Sequence, residues 1–261
     1  FIPHWVDGTL RVSTTIVEKD GPTTKVNEAP RPLSDSDWKE VISLTVSKVK
    51  ENNAKWLVIA GALPADKATG KFVDLEPLFT AMGELGVRVA MDSSGEPLKM
   101  YASKGLPAVI KPNAHELAET VGRDLHNVGD VIDAARELCQ HGIECVLASL
   151  GPDGMVAVTK DRAWAAKTGP VKVINTVGAG DATLAGFLTA VVSNPVDGDS
   201  EYGVGFNVPM GVKTAVQYGA VAVTQPTSGL ENLDNMPESV VTDNPDRSVP
   251  LEEIAYANPT K

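Results

Sequence analysis

Apolar, strand-like runs alternate with helical patterns along most of this 261-residue chain. Residues 55–60, 87–91, 107–110 and 143–148 read as strands. Helices are expected near 71–85, 114–121 and 129–141, between them. Two short strand patterns follow near 155–159 and 163–167, and further helices start at 179 and near 209. Strands that alternate with helices imply a mostly parallel sheet covered by helices on both faces, so the expected fold class is α/β. Ligands of such sheets bind beyond the carboxyl ends of the strands. Polar and glycine-containing segments fall there repeatedly, at 61–64, 92–95, 111–116, 149–154 and 178–181.

The first 32 residues read differently. Residues 9–17 and 22–28 are β-prone and flank Lys19-Asp20-Gly21, which predicts a hairpin closed off by Pro30 and Pro32. A helix follows, with Ser34 as cap, Asp37 in its first turn and an apolar stripe of Trp38, Val41, Ile42, Val46 and Val49. The chain opens at Phe1 as if inside a structural unit, and its last 30 residues are polar and expected at the surface without chemistry.

A net charge of −11 argues against nucleic acid or an anionic membrane as the main partner. No apolar run approaches membrane-spanning length, and no signal peptide is visible. Nothing beside the two cysteines, Cys139 and Cys145, makes a metal-ligand set. They read as reduced core thiols of a cytoplasmic protein, with a redox pair as the other reading.

Chemistry concentrates at Gly178-Ala179-Gly180-Asp181. A small-residue turn that opens a helix aims unpaired N–H groups and the positive end of the helix dipole at one point, which makes an anion site. A carboxylate beside bound phosphate is repulsive, so Asp181 suits the role of general base toward a hydroxyl attacking a phosphoryl group. The other reading is an ordinary turn with an Asp N-cap. The dinucleotide fingerprint fails at Thr183, where it needs glycine, and no P-loop pattern occurs.

Three further elements add to it. Lys111-Pro112-Asn113-Ala114-His115-Glu116 combines a cation, a carboxamide and a carboxylate after a strand. Asn113 and Glu116 share one helical face and could hold Mg²⁺ through its waters; the same spacing also makes a capping box with no metal. His115 reads as a surface residue. Ser149-Leu150-Gly151-Pro152-Asp153-Gly154 can offer a hydroxyl and N–H groups to phosphates, or be a plain β-turn. Arg11, a guanidinium in an otherwise uncharged strand, suits a phosphate, or simply an exposed sheet face.

Taken in order, Gly-x-Leu-Pro (61–64), Asp-x-Ser-Gly (92–95), Lys-Pro-Asn-x-x-Glu (111–116), Ser-Leu-Gly-x-x-Gly (149–154) and Thr-Val-Gly-Ala-Gly-Asp (176–181) resemble the ribokinase-like, or PfkB, carbohydrate kinases. Leu-Arg-Val-Ser in the hairpin and Asn27-Glu28 resemble the branch that phosphorylates fructose 1-phosphate or tagatose 6-phosphate. The resemblance implies a ribokinase-like fold with a small β-sheet lid. Residues 1–32 would be part of that lid with its connections, and 33–261 the nucleotide-binding and catalytic domain. Asp181 matches the catalytic base, which also meets the substrate hydroxyl. Gly178, Ala179 and Gly180 match the anion hole. Lys111, Asn113, Ser149, Gly151, Gly154 and Gly180 match ATP contacts, Asn113 and Glu116 the Mg²⁺ motif, and Arg11 the substrate phosphate. The lid implies a homodimer.

The implied activity is Mg²⁺- and ATP-dependent conversion of fructose 1-phosphate to fructose 1,6-bisphosphate. The alternatives are a tagatose-6-phosphate kinase or 6-phosphofructokinase of the same fold, and a nucleotide-binding module without turnover. Ser13 and Ala62 depart from the branch, which usually has Asn and Ser there. The family's first βαβ unit, with an acidic residue for sugar hydroxyls and a Gly-Gly-x-x-x-Asn element, has no counterpart, so half of the sugar site is expected to be missing.

Overall fold

In the computed structural model, residues 2–7, 11–17, 23–196, 200–230 and 232–251 are described. Among these, the residues up to Leu57 and from Gly61 to Val89 form one unit; Val58–Ala60 and the residues from Ala90 onward form a second.

The first unit contains an antiparallel hairpin of β1 (Ser13–Val17) and β2 (Thr23–Asn27), in register Ser13 to Asn27. The expected turn at 19–21 lies outside the described residues, as do Thr9 and Leu10. Helix α1 (Asp35–Glu51) starts at Ser34 in a capping box with Asp37, as its sequence predicts. The Trp38 indole donates to the Asp74 carbonyl at 2.7 Å. Helix α2 spans Glu76–Glu84, not 71–85: Pro77 sits at its first turn, where the missing N–H is harmless, and Phe72 is instead in a bridge with Ala65.

The main sheet has the order β3-β4-β5-β6-β7-β8-β9. Strands β3 (Trp56–Ala60) and β4 (Arg88–Asp92) begin in the first unit and end in the second. Strand β5 (Val109–Ile110) pairs in parallel with β4 and with β6 (Cys145–Ser149). Strands β7 (Met155–Val158), β8 (Ala163–Thr168) and β9 (Ser239–Asp243) add an antiparallel meander. The expected α/β class holds, with this antiparallel extension. Strand β9 lies in the tail expected at the surface, and its residues are half-buried or exposed. Its Val240 is 70% exposed.

Every residue of β7 is buried, as are Cys145–Ala148 of β6, so both faces are covered there. Helix α5 (Val128–Gln140) packs on β6 and β7 through Val131, Ala135 and Leu138, and α7 (Val208–Val223) on β7, β8 and β9. Helix α3 (Gly95–Ser103) was not evident in the sequence. It is short, and its apolar residues Leu98, Tyr101 and Ala102 mark a single face. Helix α6 (Ala179–Ser193) is locked to α7 by close approach: a Cβ on Gly211 would meet the Phe187 ring at 2.6 Å. That contact fixes where the amino terminus of α6 points. No helix among the described residues is long and apolar enough to cross a membrane.

Candidate active site

The site lies in the second unit, where β4, β5 and β6 end. Asp92 closes β4, Lys111 follows β5 and Ser149 closes β6. The chain after β5 runs beside the end of β6: Ser149 N–H donates to the Pro112 carbonyl at 3.0 Å, and Asn113 bridges Ser149 in parallel.

Gly178 is the N-cap of α6 and has φ +83°. A side chain there would be strained, and its Cβ would lie 2.7 Å from the Ser228 carbonyl oxygen. The turn is shaped by the Asn175 side chain, which accepts from Val177 N–H at 3.0 Å. Ala179 N–H is spent inside it, on the Thr176 carbonyl at 3.3 Å. This corrects the expectation that all three amides of 178–180 are free. Among the described residues, the N–H groups of Gly178, Gly180 and Asp181 donate to no backbone carbonyl. The donor set therefore loses Ala179 and takes in Asp181, and it remains the open end of a helix dipole.

Asp181 is exposed in the first turn of α6 and does not cap the helix, since Gly178 occupies that position. Residues 173–177, before the turn, form no strand. Ile174 and Asn175 donate instead to the Val223 carbonyl at the end of α7, at 2.7 and 3.1 Å.

Lys111 is buried, with Nζ 3.1 Å from Asp92 Oδ2. Nζ also stands 3.1 Å from the point where a Cβ on Gly180 would be. Burial raises the Asp92 pKa; the Lys111 charge and hydrogen bond oppose the rise, and the negative charge of Asp181 adds to it. Breaking such a pair by removing one partner typically costs about 3–5 kcal/mol, yet replacing both partners by apolar groups is often neutral. Stability alone therefore gives little reason for this pair. The sequence places Asp92 in the Asp-x-Ser-Gly segment at the ligand edge but assigns it no role; its pairing with Lys111 is visible only in the fold.

Asn113 and Glu116 form the capping box of α4 (Ala114–Val121). Asn113 N–H donates to Glu116 Oε2 at 2.9 Å, and Glu116 N–H donates to Asn113 Oδ1 at 2.8 Å. Burial is the main cause of a raised Glu116 pKa, opposed by the Asn113 amide and Lys111 and reinforced by Asp92 and Glu119. Among the described residues, no group of three or more His, Cys, Asp or Glu side chains could enclose a metal. The donor chemistry fits an ion held through water, since Mg²⁺ keeps several waters and Glu116 Oε1 is not part of the box. His115 pairs with Glu119 at 3.2 Å on the helix surface.

Gly151–Asp153 form one turn of 3₁₀ helix between β6 and β7. Gly151 has φ +59° and Gly154 φ +90°. A Cβ on Gly154 would overlap the Ala166 carbonyl of β8. Lys167 holds Asp153 at 3.2 Å.

Arg11 belongs to the first unit. It lies just before β1 rather than within a strand, and its Nε donates to the Glu28 carbonyl at 2.6 Å. Glu28 accepts in turn from Val12 N–H through Oε2 at 3.0 Å.

A profile of the pfkB family carbohydrate kinases matches residues 4–234. The chain is 35% identical over 220 residues to a 1-phosphofructokinase of Haloferax volcanii, covering 84% of this chain and 66% of the relative. It is 32% identical over 183 residues to a 1-phosphofructokinase of Escherichia coli, covering 70% of this chain and 57% of the relative. The chain thus spans less than two thirds of the length of these curated relatives. Escherichia coli phosphofructokinase-2 in complex with substrates and products superposes with a TM-score of 0.65 at 27% identity, covering 81% of this chain and 64% of the other. Its tetrameric inhibited form gives 0.60 at 28% identity, covering 77% and 61%.

Proposed function

Since this chain belongs to the pfkB family of carbohydrate kinases, we propose that it phosphorylates a ketohexose phosphate with ATP and Mg²⁺, converting fructose 1-phosphate to fructose 1,6-bisphosphate. The observation that carries this reading is Asp181: an exposed carboxylate in the first turn of α6, beside helix amides that have no carbonyl partner. The Asp181 carboxylate takes the proton of the C6 hydroxyl, that oxygen bonds to the γ-phosphorus, and the bond from the phosphorus to the ADP oxygen breaks. The amides of Gly178, Gly180 and Asp181 and the α6 dipole stabilise the charge on the transferring group. Lys111, Asn113, Ser149, Gly151 and Gly154 line the nucleotide side. Asn113 and Glu116 hold Mg²⁺ through water, and the ion when bound supplies charge neutralisation at the phosphates. Arg11, with its two terminal nitrogens, binds the phosphate already on the sugar.

The hairpin supports the assembly side of the reading. Ile16 and Val26 are 53% and 56% exposed, and register places them on one face with Thr14 and Thr24; Val12, just before β1, is 56% exposed. A second copy covering that apolar face makes a homodimer through the lid, in a cytoplasmic enzyme.

A panel of sugar phosphates tests the substrate. Fructose 1-phosphate is expected to give the highest kcat/KM of the panel. Preference for tagatose 6-phosphate or fructose 6-phosphate replaces the substrate; Ser13 and Ala62, which depart from the branch on the sugar side, are the reason the panel includes both. Nucleotide binding with no turnover of any sugar removes the kinase reading.

A further inference from the structure

Asp92 and Lys111 leave the sheet side by side, because the register of β4 and β5 pairs Met91 with Ile110 just before them. The Lys111 side chain is 7% exposed, and its ammonium lies 3.1 Å from Asp92 Oδ2. The same ammonium lies 3.1 Å, and Asp92 Oδ2 3.7 Å, from where a Cβ on Gly180 would sit. Gly180 is the second residue of α6, and its N–H has no carbonyl partner among the described residues. A lysine ammonium is a point charge on a flexible four-carbon stem, so its position depends on its partner. A second carboxylate, Glu116, lies within reach of the Lys111 charge. The hydrogen bond to Asp92 decides which way the stem points, and glycine at 180 leaves the space the ammonium occupies.

We infer that Asp92 is a positioning residue: it holds the Lys111 ammonium against the amino-terminal turn of α6, where that charge meets the outer phosphates of a nucleoside triphosphate, and it acts only through the lysine. The inference rests on the nucleotide-binding reading above. A merely structural Asp92 would affect folding and leave the contrast between nucleotides unchanged. A positioning Asp92 changes the preference for a polyphosphate over a monophosphate, because AMP carries no phosphate at the Gly180 turn.

The test measures ATP, ADP and AMP affinity by calorimetry on the intact protein, with melting temperatures and, for the sugar phosphate, kcat and KM. The variants are D92N, D92E, K111M and D92N/K111M. Loss of one charge-assisted contact predicts that D92N forfeits about 10- to 100-fold of the ATP-over-AMP preference. Its kcat should fall by a similar factor while the sugar KM stays put. The double variant should be no worse than K111M alone, since the two residues form one unit. An unchanged ATP-to-AMP ratio in D92N overturns the inference and leaves the kinase reading intact. Losses that multiply in the double variant also overturn it, because Asp92 would then act on its own. D92E covers the case in which D92N does not fold: it retains the charge one methylene away and should show a partial loss, whereas full retention of the preference overturns the inference. A wild-type protein that binds no ATP overturns the kinase reading itself.

Discussion

Asn113 and Glu116 bind each other twice, each backbone N–H donating to the other's side-chain oxygen, at 2.9 and 2.8 Å. One carboxylate thus serves as helix cap and faces the site. The two roles separate in Glu116→Gln, because glutamine preserves a capping box while removing the charge. The variant should need more Mg²⁺ for half-maximal activity and keep its sugar KM. A wild-type metal titration with a raised sugar KM would contradict the Mg²⁺ assignment.

The same variant carries a pH prediction. Burial raises the Glu116 pKa above its ordinary 4.5. In the window between that value and the raised one, the native state binds more protons than the unfolded state, so this group's contribution to stability falls as pH rises. The neutral side chain escapes that loss. Glu116→Gln should therefore melt no lower than wild type at pH 7, and the gap should close as pH falls toward 4.5. A gap that widens on acidification would refute the cause given for the shift.

Asp181→Asn should abolish most turnover and spare ATP binding. General-base assistance is worth about 10²–10⁴-fold, and the substitution leaves the α6 amides in place. Rapid-quench or steady-state kcat alongside ATP calorimetry checks this; retention of most of kcat would remove Asp181 as the base.

Gly154→Ala tests the turn between β6 and β7. Alanine at 154 would have to adopt φ +90°, and its methyl would run into the Ala166 carbonyl, which belongs to a strand and cannot yield cheaply. A loss of at least about 2 kcal/mol is expected, or several degrees in melting temperature for a chain of this size. An unchanged melting curve would mean the turn can be rebuilt.

Arg11→Ala should lower kcat/KM for the sugar phosphate by one to two decades, about 1.5–3 kcal/mol for a lost charge-assisted contact. The ATP KM should hardly change. Because Arg11 Nε also ties down the Glu28 carbonyl, part of the loss belongs to the hairpin, and turnover of an unphosphorylated sugar is the control. If wild type prefers free fructose or ribose to every sugar phosphate, Arg11 does not read a phosphate.

The thiols should be inert. Burial pushes Cys139 up to about 12 and Cys145 well above its ordinary value, so neither is a nucleophile near neutrality. Thiol reagents should label neither in the native protein and both after denaturation, in keeping with core thiols rather than a redox pair.

Features encoded within a few residues were legible from the sequence alone. The Ser34 and Asn113 caps depend on a side chain three residues from its partner amide, and both were read at their positions. The glycine turn before α6 and the alternation that makes an α/β sheet are likewise local, and with the other four motifs in order they point to the family. What the chain does across distance was decided only in three dimensions. The Asp92–Lys111 pair joins two strands, and its place beside Gly180 depends on a helix some 70 residues further along. Which amides of the 178–181 turn stay free depends on the hydrogen bond from Ala179 to Thr176, and the space at Gly178 on the Ser228 loop. Strand β9 sits in a tail with no strong alternation and exists because β8 offers it an edge. Local propensity fixes caps, turns and periods, whereas burial and charge pairing are properties of the packed sheet and helices, and these determine which charges face the site.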